Sequence, residues 1–187
     1  RLAHLIVSHY TDAFDADVQG DDAPPAPWRD WLLARHAPPT LDGGQVHAWK
    51  DALAWDGPLA DSTVGPRDLS VLPYTSGTTV LPKGCMHTHG SIMHNAVASS
   101  LWGAGSAETV ALVVVPMFHI TGMVSVMHTA VYLGATMILM PRWDRELAGR
   151  LISRWQVTNW TNIPTMVIDL LASPNFASFD LSSLRII

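Results

Sequence analysis

The chain has 187 residues, of which 48% are hydrophobic and 14% are charged. This length suits one sizeable core, and so apolar a composition excludes a disordered tail or a solvated coiled coil. The formal net charge is -5, and the acidic excess is confined to residues 1–70, which hold five basic and eleven acidic side chains. The sequence has no basic stripe that could neutralise a nucleic-acid backbone, so we expect no nucleic-acid partner.

The cysteine count indicates the cellular compartment, and the first residues indicate whether the sequence is part of a longer protein. The single cysteine, Cys85, cannot form an intramolecular disulfide and is typical of a reducing compartment, which predicts a cytoplasmic protein. The chain does not start with Met, and its opening apolar run is too short for the core of a signal peptide. We therefore interpret it as the interior of a longer protein.

The first 67 residues predict a loop-rich lead-in. A short apolar run predicts one strand, and two apolar patterns separated by a Pro- and Gly-rich turn cluster predict two short helices. The segments rich in Asp, Ala and Pro show neither helical nor strand periodicity, so we expect loops there. In chain order the predictions are a strand over 5–7, a loop over 11–27, helices over 28–35 and 47–55, and a linker over 58–67.

From residue 68 onward, short apolar runs alternate with helical patterns. This alternation is typical of βαβ units around a parallel sheet. Thr88 and Asp144 are candidate N-caps for two of the helices, and Pro164 suits the first position of a third. The sequence thus predicts one α/β domain over 1–187, with a mainly parallel sheet flanked by helices and its core at 68–187. The predicted strands are 69–73, 110–115, 136–140, 157–160 and 184–187. The predicted helices carry apolar faces formed by Ile92, Met93, Ala96, Val97 and Leu101, by Leu147, Leu151, Ile152 and Trp155, and by Met166, Val167, Leu170 and Leu171.

The range 109–141 contains no Asp, Glu, Lys or Arg and is long enough to cross a bilayer. Pro116, Gly122 and Gly134 interrupt it, however, and divide it into strand and helix lengths. A spanning helix needs about 20 uninterrupted apolar residues, so buried strands of a parallel sheet explain the run better.

The segment 74–84 combines closely spaced hydroxyls, two glycines and one ammonium, and it lies between a predicted strand and a predicted helix. Glycines let backbone amides approach a ligand, and hydroxyls and an ammonium bind phosphate oxygens. The alternative is a Ser/Thr/Gly-rich surface turn that binds no ligand. The order of residues around Lys83 does not fit a Walker A loop, and the sequence has neither a complete Rossmann fingerprint nor a Gly-x-Ser-x-Gly elbow. The segment therefore predicts a phosphate-binding loop of another kind.

Tyr74-Thr75-Ser76-Gly77-Thr78-Thr79-Val80-Leu81-Pro82-Lys83-Gly84 resembles the phosphate-binding signature of the AMP-forming acyl- and aryl-CoA synthetases, the adenylate-forming superfamily. Nine of the ten specified positions match, and Val80 stands where the family has glycine. Val115-Pro116-Met117-Phe118-His119-Ile120-Thr121-Gly122 resembles the superfamily's Pro-x-Phe-His-x-x-Gly motif, which lines the acyl pocket. The resemblance extends over 68–187 and is faint before that.

The resemblance implies that a carboxylate attacks the α-phosphate of ATP to give acyl-AMP, and that the thiol of coenzyme A then takes the acyl group. Lys83 and His119 would be catalytic, and Thr75 would also help to orient Mg²⁺. A histidine after an apolar strand could instead be a satisfied core residue. The residues implied to hold the phosphates are Thr75, Ser76, Gly77, Thr78, Thr79, Lys83 and Gly84, and those implied to line the acyl pocket are Phe118, His119, Gly122 and Met123.

The form of both motifs and the Met-rich stretch 123–127 favour a medium- or long-chain fatty acid as substrate. By resemblance, the adenine contacts and the catalytic lysine of the small C-terminal domain are expected beyond Ile187, so the isolated chain is expected to be an inactive part of an acid–thiol ligase. Peripheral membrane contact and homo-oligomerisation stay open.

Four alternatives remain open at this point. An aryl-CoA ligase and an adenylation domain belong to the same superfamily. A non-catalytic nucleotide-binding or scaffold domain is favoured by the valine at position 80. A metal site formed by Cys85, His87 and His89 has suitable alternation, but its spacing has no second pair of ligands.

Overall fold

The computed structural model describes residues 2–13, 20, 23–75 and 81–187. By its internal contacts the chain divides into two units, Arg1–Ser62 and Thr63–Ile187.

The first unit is built around a two-stranded parallel sheet. Strands β1 (His4–Val7) and β2 (Gln45–Ala48) pair in register, with Leu5 opposite Val46. The unit also contains a 3₁₀ turn (Tyr10–Asp12) and helices α1 (Ala26–Leu33) and α2 (Trp49–Leu53). The prediction of a helix over 47–55 is wrong at its start, because the residues up to Ala48 form ladder hydrogen bonds with β1 and only the rest of the segment is helical.

The second unit contains most of the regular structure. Its elements in chain order are β3 (Leu69–Val71), β4 (Tyr74–Thr75), β5 (Lys83–Gly84), β6 (His87–Thr88), α3 (His89–Trp102), β7 (Val110–Val113), a π-helix (Thr121–His128), α4 (Thr129–Leu133), β8 (Thr136–Leu139), α5 (Arg145–Trp155), β9 (Asn159–Trp160), α6 (Pro164–Leu171) and a 3₁₀ turn (Phe176–Ser178).

A three-stranded parallel sheet in the order β8–β7–β9 forms the centre of this unit. Its middle strand is buried, and Leu112 lies opposite Ile138 on one side and Trp160 on the other. Parallel neighbours need crossover connections, which the helices between the strands provide. The prediction of an α/β fold with parallel strands flanked by helices is confirmed. No helix in the described ranges is long and apolar enough to cross a membrane.

Two predicted strands differ from the structure. The segment 69–73 does not join the parallel sheet, because β3 pairs antiparallel with β6 and β4 pairs antiparallel with β5. The segment 184–187 is not a regular strand, since only an isolated parallel bridge between Asn159 and Ile186 is formed there.

The helix starts follow the predicted capping chemistry. The Thr88 hydroxyl accepts a hydrogen bond from the Ser91 amide at 3.2 Å, and the Asp144 carboxylate accepts one from the Leu147 amide at 2.8 Å. Each cap satisfies an amide that has no partner inside its helix. Pro164 occupies the first turn of α6, where its missing N–H costs nothing.

The predicted apolar faces are only partly buried. Helix α5 buries Leu147, Leu151 and Ile152, but the end of its predicted face, Trp155, is exposed. Helix α3 buries Ile92 and Ala96 and exposes Met93 and Leu101, and α6 buries Leu170 and exposes Leu171. Periodicity predicts which residues share a face, whereas burial also needs a neighbouring element that covers the face.

Helices α5 and α6 are joined by polar contacts. The Trp143 indole and the Arg145 guanidinium both donate to the Asp169 carboxylate, at 2.7 and 3.2 Å. Trp143 also stacks on the buried Trp160 ring, with centroids 5.5 Å apart. Trp143 therefore connects α6, through Asp169, to β9, through Trp160.

Candidate active site

The phosphate-loop motif begins and ends on the antiparallel ribbon of β4 and β5. Thr75 pairs with Lys83 and Tyr74 pairs with Gly84, so the first hydroxyl of the motif and its only ammonium lie across from each other. Side chains opposite each other on an antiparallel ladder lie about 4.5–5.5 Å apart at Cβ. The remaining predicted phosphate contacts, Ser76, Gly77, Thr78 and Thr79, and the departure at Val80 lie outside the described residues.

The ribbon is anchored at its base. The Cys85 amide donates to the Pro73 carbonyl at 2.8 Å, which continues the ladder by one bond beyond Gly84. A Cβ at Gly84 would lie 3.1 Å from the Leu72 side chain and 3.3 Å from the Tyr74 ring, so glycine leaves room for these two side chains. Gly84 therefore has a packing role in addition to any contact with phosphate.

The ribbon presents its charge to solvent. Thr75 and Lys83 are both exposed, and Lys83 forms no ion pair within the described ranges. An ammonium with no carboxylate partner can meet a phosphate without first breaking an internal pair. The arrangement is suited to binding an anion between the two ends of the loop.

The second predicted set of residues follows β7. Phe118 is 84% exposed, His119 is exposed, Met123 is half-buried and Gly122 is buried. The structure groups these residues at the loop that leaves the central strand and at the start of the π-helix. No hydrogen bond joins this group to the β4–β5 ribbon among the residues described.

The orientation of the His119 ring is determined by a local hydrogen bond. Its Nδ1 accepts from the Thr121 amide at 3.2 Å, while its backbone amide donates to the Pro116 carbonyl at 3.0 Å. Because Nδ1 is an acceptor, the neutral ring carries its proton on Nε2. That proton is available as a donor to a carboxylate. His119 is exposed, and the interpretation of it as a buried core histidine is wrong.

Gly122 packs against the backbone of the preceding loop. A Cβ at this position would overlap the Pro116 carbonyl oxygen and approach the Val115 carbonyl. A side chain at position 122 would therefore point into the backbone of this loop. Glycine is needed here because the helix starts directly against the loop that holds His119.

Sequence analysis missed the π-helix that follows. The His128 Nδ1 lies 2.6 Å from the Met123 carbonyl oxygen, and the Thr129 hydroxyl donates to the Val124 carbonyl at 3.0 Å. Both bonds connect a side chain to the residue five positions earlier, which matches the wider turn of a π-helix. In the sequence, the polar residues at positions 128 and 129 were the signal that could have indicated this feature.

A cavity of about 200 Å³ lies beside the π-helix, between α3, α4 and the sheet. Its lining mixes hydroxyls with apolar and aromatic groups, including Ser100, Ser125, Val126, Thr129 and Trp160. The predicted Met-rich wall at 123–127 contributes Ser125 and Val126 to it, whereas its methionines do not line it.

The donor set for a divalent cation is small. Thr75 offers one neutral oxygen, and no group of three His, Cys, Asp or Glu side chains in the described ranges could hold a metal ion. Mg²⁺ usually binds through one or two carboxylates together with substrate phosphates and water. Thr75 alone therefore fits only as an additional ligand to Mg²⁺ that arrives with a phosphate.

A model of the AMP-binding enzyme family matches residues 4–187. The chain belongs to this family. The matched range includes the loop motif, the His119 motif and the α/β core of this chain. The family is the one that the sequence resemblance predicted. Membership applies to both units, including the lead-in, where the resemblance read from the sequence was faint.

Among curated relatives, the chain is similar to 4-coumarate–CoA ligase 2 of Oryza sativa subsp. japonica, with 39% identity over 137 residues, 71% of this chain and 24% of that protein. It is also similar to the long-chain-fatty-acid–CoA ligase of Bacillus subtilis (strain 168), with 38% identity over 120 residues, 63% of this chain and 21% of that protein. The chain thus spans about a quarter or less of the length of these relatives.

Solved structures of related proteins have the same fold. The inhibitor-bound N-terminal domain of FACL13 from Mycobacterium tuberculosis superposes with a TM-score of 0.65 at 27% identity, over 86% of this chain and 41% of that one. O-succinylbenzoate coenzyme A synthetase from Bacillus subtilis, in complex with AMP, gives a TM-score of 0.62 at 28% identity, over 76% of this chain and 37% of that one.

Proposed function

We propose that this chain supplies the phosphate-binding and acyl-side elements of an ATP-dependent acid–thiol ligase. In the proposed reaction a carboxylate oxygen attacks the α-phosphorus of ATP, pyrophosphate leaves, and the thiol of coenzyme A then displaces AMP from the acyl carbon. The observation that carries the proposal is the pairing of Thr75 with Lys83 at the base of the loop. Family membership supports it.

Positioning and charge stabilisation account for most of the catalysis in such a reaction. Lys83 would bind the negative charge of the phosphates, with the hydroxyls of the loop as further donors. His119, with its proton on Nε2, would donate to the substrate carboxylate and orient it. Mg²⁺ would neutralise phosphate charge, and Thr75 is the described side chain proposed to contact it.

The acid is proposed to be a medium- or long-chain fatty acid or an aromatic acid. The similarity to a long-chain-fatty-acid–CoA ligase supports the former. The similarity to a 4-coumarate–CoA ligase supports the latter. The cavity beside the π-helix is lined by none of the residues predicted to contact the acyl group, so its volume does not decide between the two.

Pyrophosphate release by the full-length protein, measured over a panel of aromatic acids and fatty acids of increasing length, tests both the reaction and its substrate. Acid-dependent release that requires coenzyme A for turnover supports a ligase. ATP binding without release for any acid would instead support the scaffold alternative.

A matched pair of variants tests whether the cavity receives the acyl group. Ser125 lines the cavity, and Ser125→Phe fills part of it. Ala98 is exposed on α3 outside the lining, so Ala98→Phe adds the same ring elsewhere. We expect only Ser125→Phe to shift the preference toward smaller acids. The same acid profile in both variants would exclude the cavity as the acyl site.

A further inference from the structure

Two histidines meet on one face of the small parallel sheet in the first unit. The Nδ1 of His4 lies 3.0 Å from the Nε2 of His47, and the ring centroids are 5.2 Å apart with an angle of 34° between the planes. His4 on β1 pairs with Gln45, and His47 on β2 pairs with Ile6. The two histidines are therefore diagonal neighbours, offset by two residues along the strands. The contact is solvent-exposed.

The separation of the two nitrogens matches that of two imidazoles bound to one metal ion. With metal–nitrogen bonds of about 2.0–2.1 Å, adjacent ligands lie about 2.9 Å apart at a right angle and about 3.3 Å apart at a tetrahedral angle. The observed 3.0 Å lies between these values. A small rotation of each ring would therefore aim both lone pairs at one point, with little change in the backbone.

The backbone holds this pair in place. Four consecutive residue pairs connect β1 and β2 in register, and the amide of Gln45 donates to the Ala3 carbonyl at 2.9 Å just before the ladder begins. A pair of ligands on two hydrogen-bonded strands loses less conformational freedom on binding than a pair on a flexible loop.

We propose that His4 and His47 form a two-imidazole binding site for a divalent transition-metal ion. In the hydrogen-bonded pair one of the two facing nitrogens carries a proton. Metal binding requires that ring in its other tautomer, so the proton moves through solvent to the ring's distant nitrogen and each neutral ring keeps one N–H. Within the described ranges no third His, Cys, Asp or Glu joins the pair, so water completes the coordination sphere and the ion exchanges freely. Imidazole ligands and the Irving–Williams order favour Cu²⁺ over Ni²⁺ and Zn²⁺.

The test measures binding of Cu²⁺ by calorimetry to the chain carrying Cys85→Ser, which prevents oxidation of the exposed thiol. His4→Gln and His47→Gln should each weaken binding by about tenfold or more, equal to about 1.4 kcal/mol. His94→Gln, which removes an exposed histidine on α3, should have no effect. Both strand histidines are part of a ladder whose bonds are made by the backbone, so the variants should keep the native circular dichroism spectrum.

Electron paramagnetic resonance of the bound Cu²⁺ adds a spectroscopic readout. Superhyperfine splitting from two nitrogens is expected, reduced to one in either variant. Unchanged affinity in His4→Gln or in His47→Gln would overturn the proposal. A loss of Cu²⁺ affinity in His94→Gln as large as in the strand variants would also overturn it, since the ion would then bind to surface histidines in general.

Discussion

Thr75 and Lys83 are cross-strand partners on the β4–β5 ribbon, and the loop between them contains the rest of the phosphate-binding motif. The pairing places a hydroxyl and an ammonium at the two ends of one loop. An antiparallel ladder fixes this register because a shift by one residue would turn Lys83 to the other face of the ribbon.

Replacing Lys83 by Ala in the full-length protein should lower the adenylation rate by about 10- to 150-fold. The basis is the contribution of a hydrogen bond to a charged group, about 1.5–3 kcal/mol. Lys50→Ala is the matched control, because Lys50 is the only other lysine among these 187 residues and lies exposed on α2 in the other unit. Acid-dependent pyrophosphate release measures both. Equal effects from the two substitutions would disprove the assignment of the loop.

Val80→Gly should tighten ATP binding or raise the adenylation rate by about 5- to 150-fold. The expectation comes from the sequence, since Val80 lies outside the described residues. A β-branched residue resists positive φ at a cost of about 1–3 kcal/mol, and glycine does not. Parallel ATP titrations of the two proteins, read by calorimetry and pyrophosphate release, decide the matter. Identical affinities and rates would mean that this position tolerates a side chain.

Gly122→Ala should destabilise the chain by about 1–3 kcal/mol, because the new methyl group would press on the Pro116 carbonyl at the start of the π-helix. Gly65→Ala is the control. A Cβ at Gly65 would meet only the Asp68 carboxylate at 3.6 Å, an ordinary contact. Urea unfolding followed by circular dichroism gives both free energies. A Gly122→Ala variant as stable as Gly65→Ala would contradict the close approach described above.

Glu146 should contribute stability that depends on pH. Hydrogen bonds from Ser173 and Asn175, at 2.6 and 2.9 Å, hold the pKa of the Glu146 carboxyl below its usual value of 4.5. A carboxyl whose pKa is lowered by folding stabilises the native state above its unfolded pKa, and this contribution is lost as the pH falls through the folded pKa.

The difference in unfolding free energy between the parent and Glu146→Gln should therefore be full at neutral pH and should shrink below about pH 4.5. Glu108→Gln, at an exposed turn, is the control. Urea unfolding at a series of pH values measures the difference. A difference in unfolding free energy that stays constant down to about pH 3 would show that the hydrogen bonds do not depend on the charge of Glu146.

Local chemistry in the sequence determined much of the second unit. Thr88, Asp144 and Pro164 begin helices where the sequence predicts them, because a cap or an N-terminal proline acts within one turn of its own position. The parallel strands were predictable for a similar reason, since a strand buried on both faces is a continuous apolar run.

The family could be predicted from the sequence because its motif is contiguous. Nine of ten specified positions occur within 74–84, and no tertiary information is needed to recognise them. The family match over 4–187 confirms that prediction. The choice between a fatty and an aromatic acid could not be made in this way, because relatives named for each kind of acid match this chain at nearly the same identity, 38% and 39%.

Pairing partners were decided only by the tertiary structure. The apolar pattern at 69–73 fits a parallel or an antiparallel strand equally well, and only the structure shows that β3 within it pairs antiparallel with β6. His47 and Ala48 were predicted to begin a helix, whereas the structure places them in β2, where β1 supplies their ladder bonds. The meeting of His4 with His47, 43 positions apart, likewise depends on that pairing, since only the register of two strands brings such distant side chains within hydrogen-bond distance.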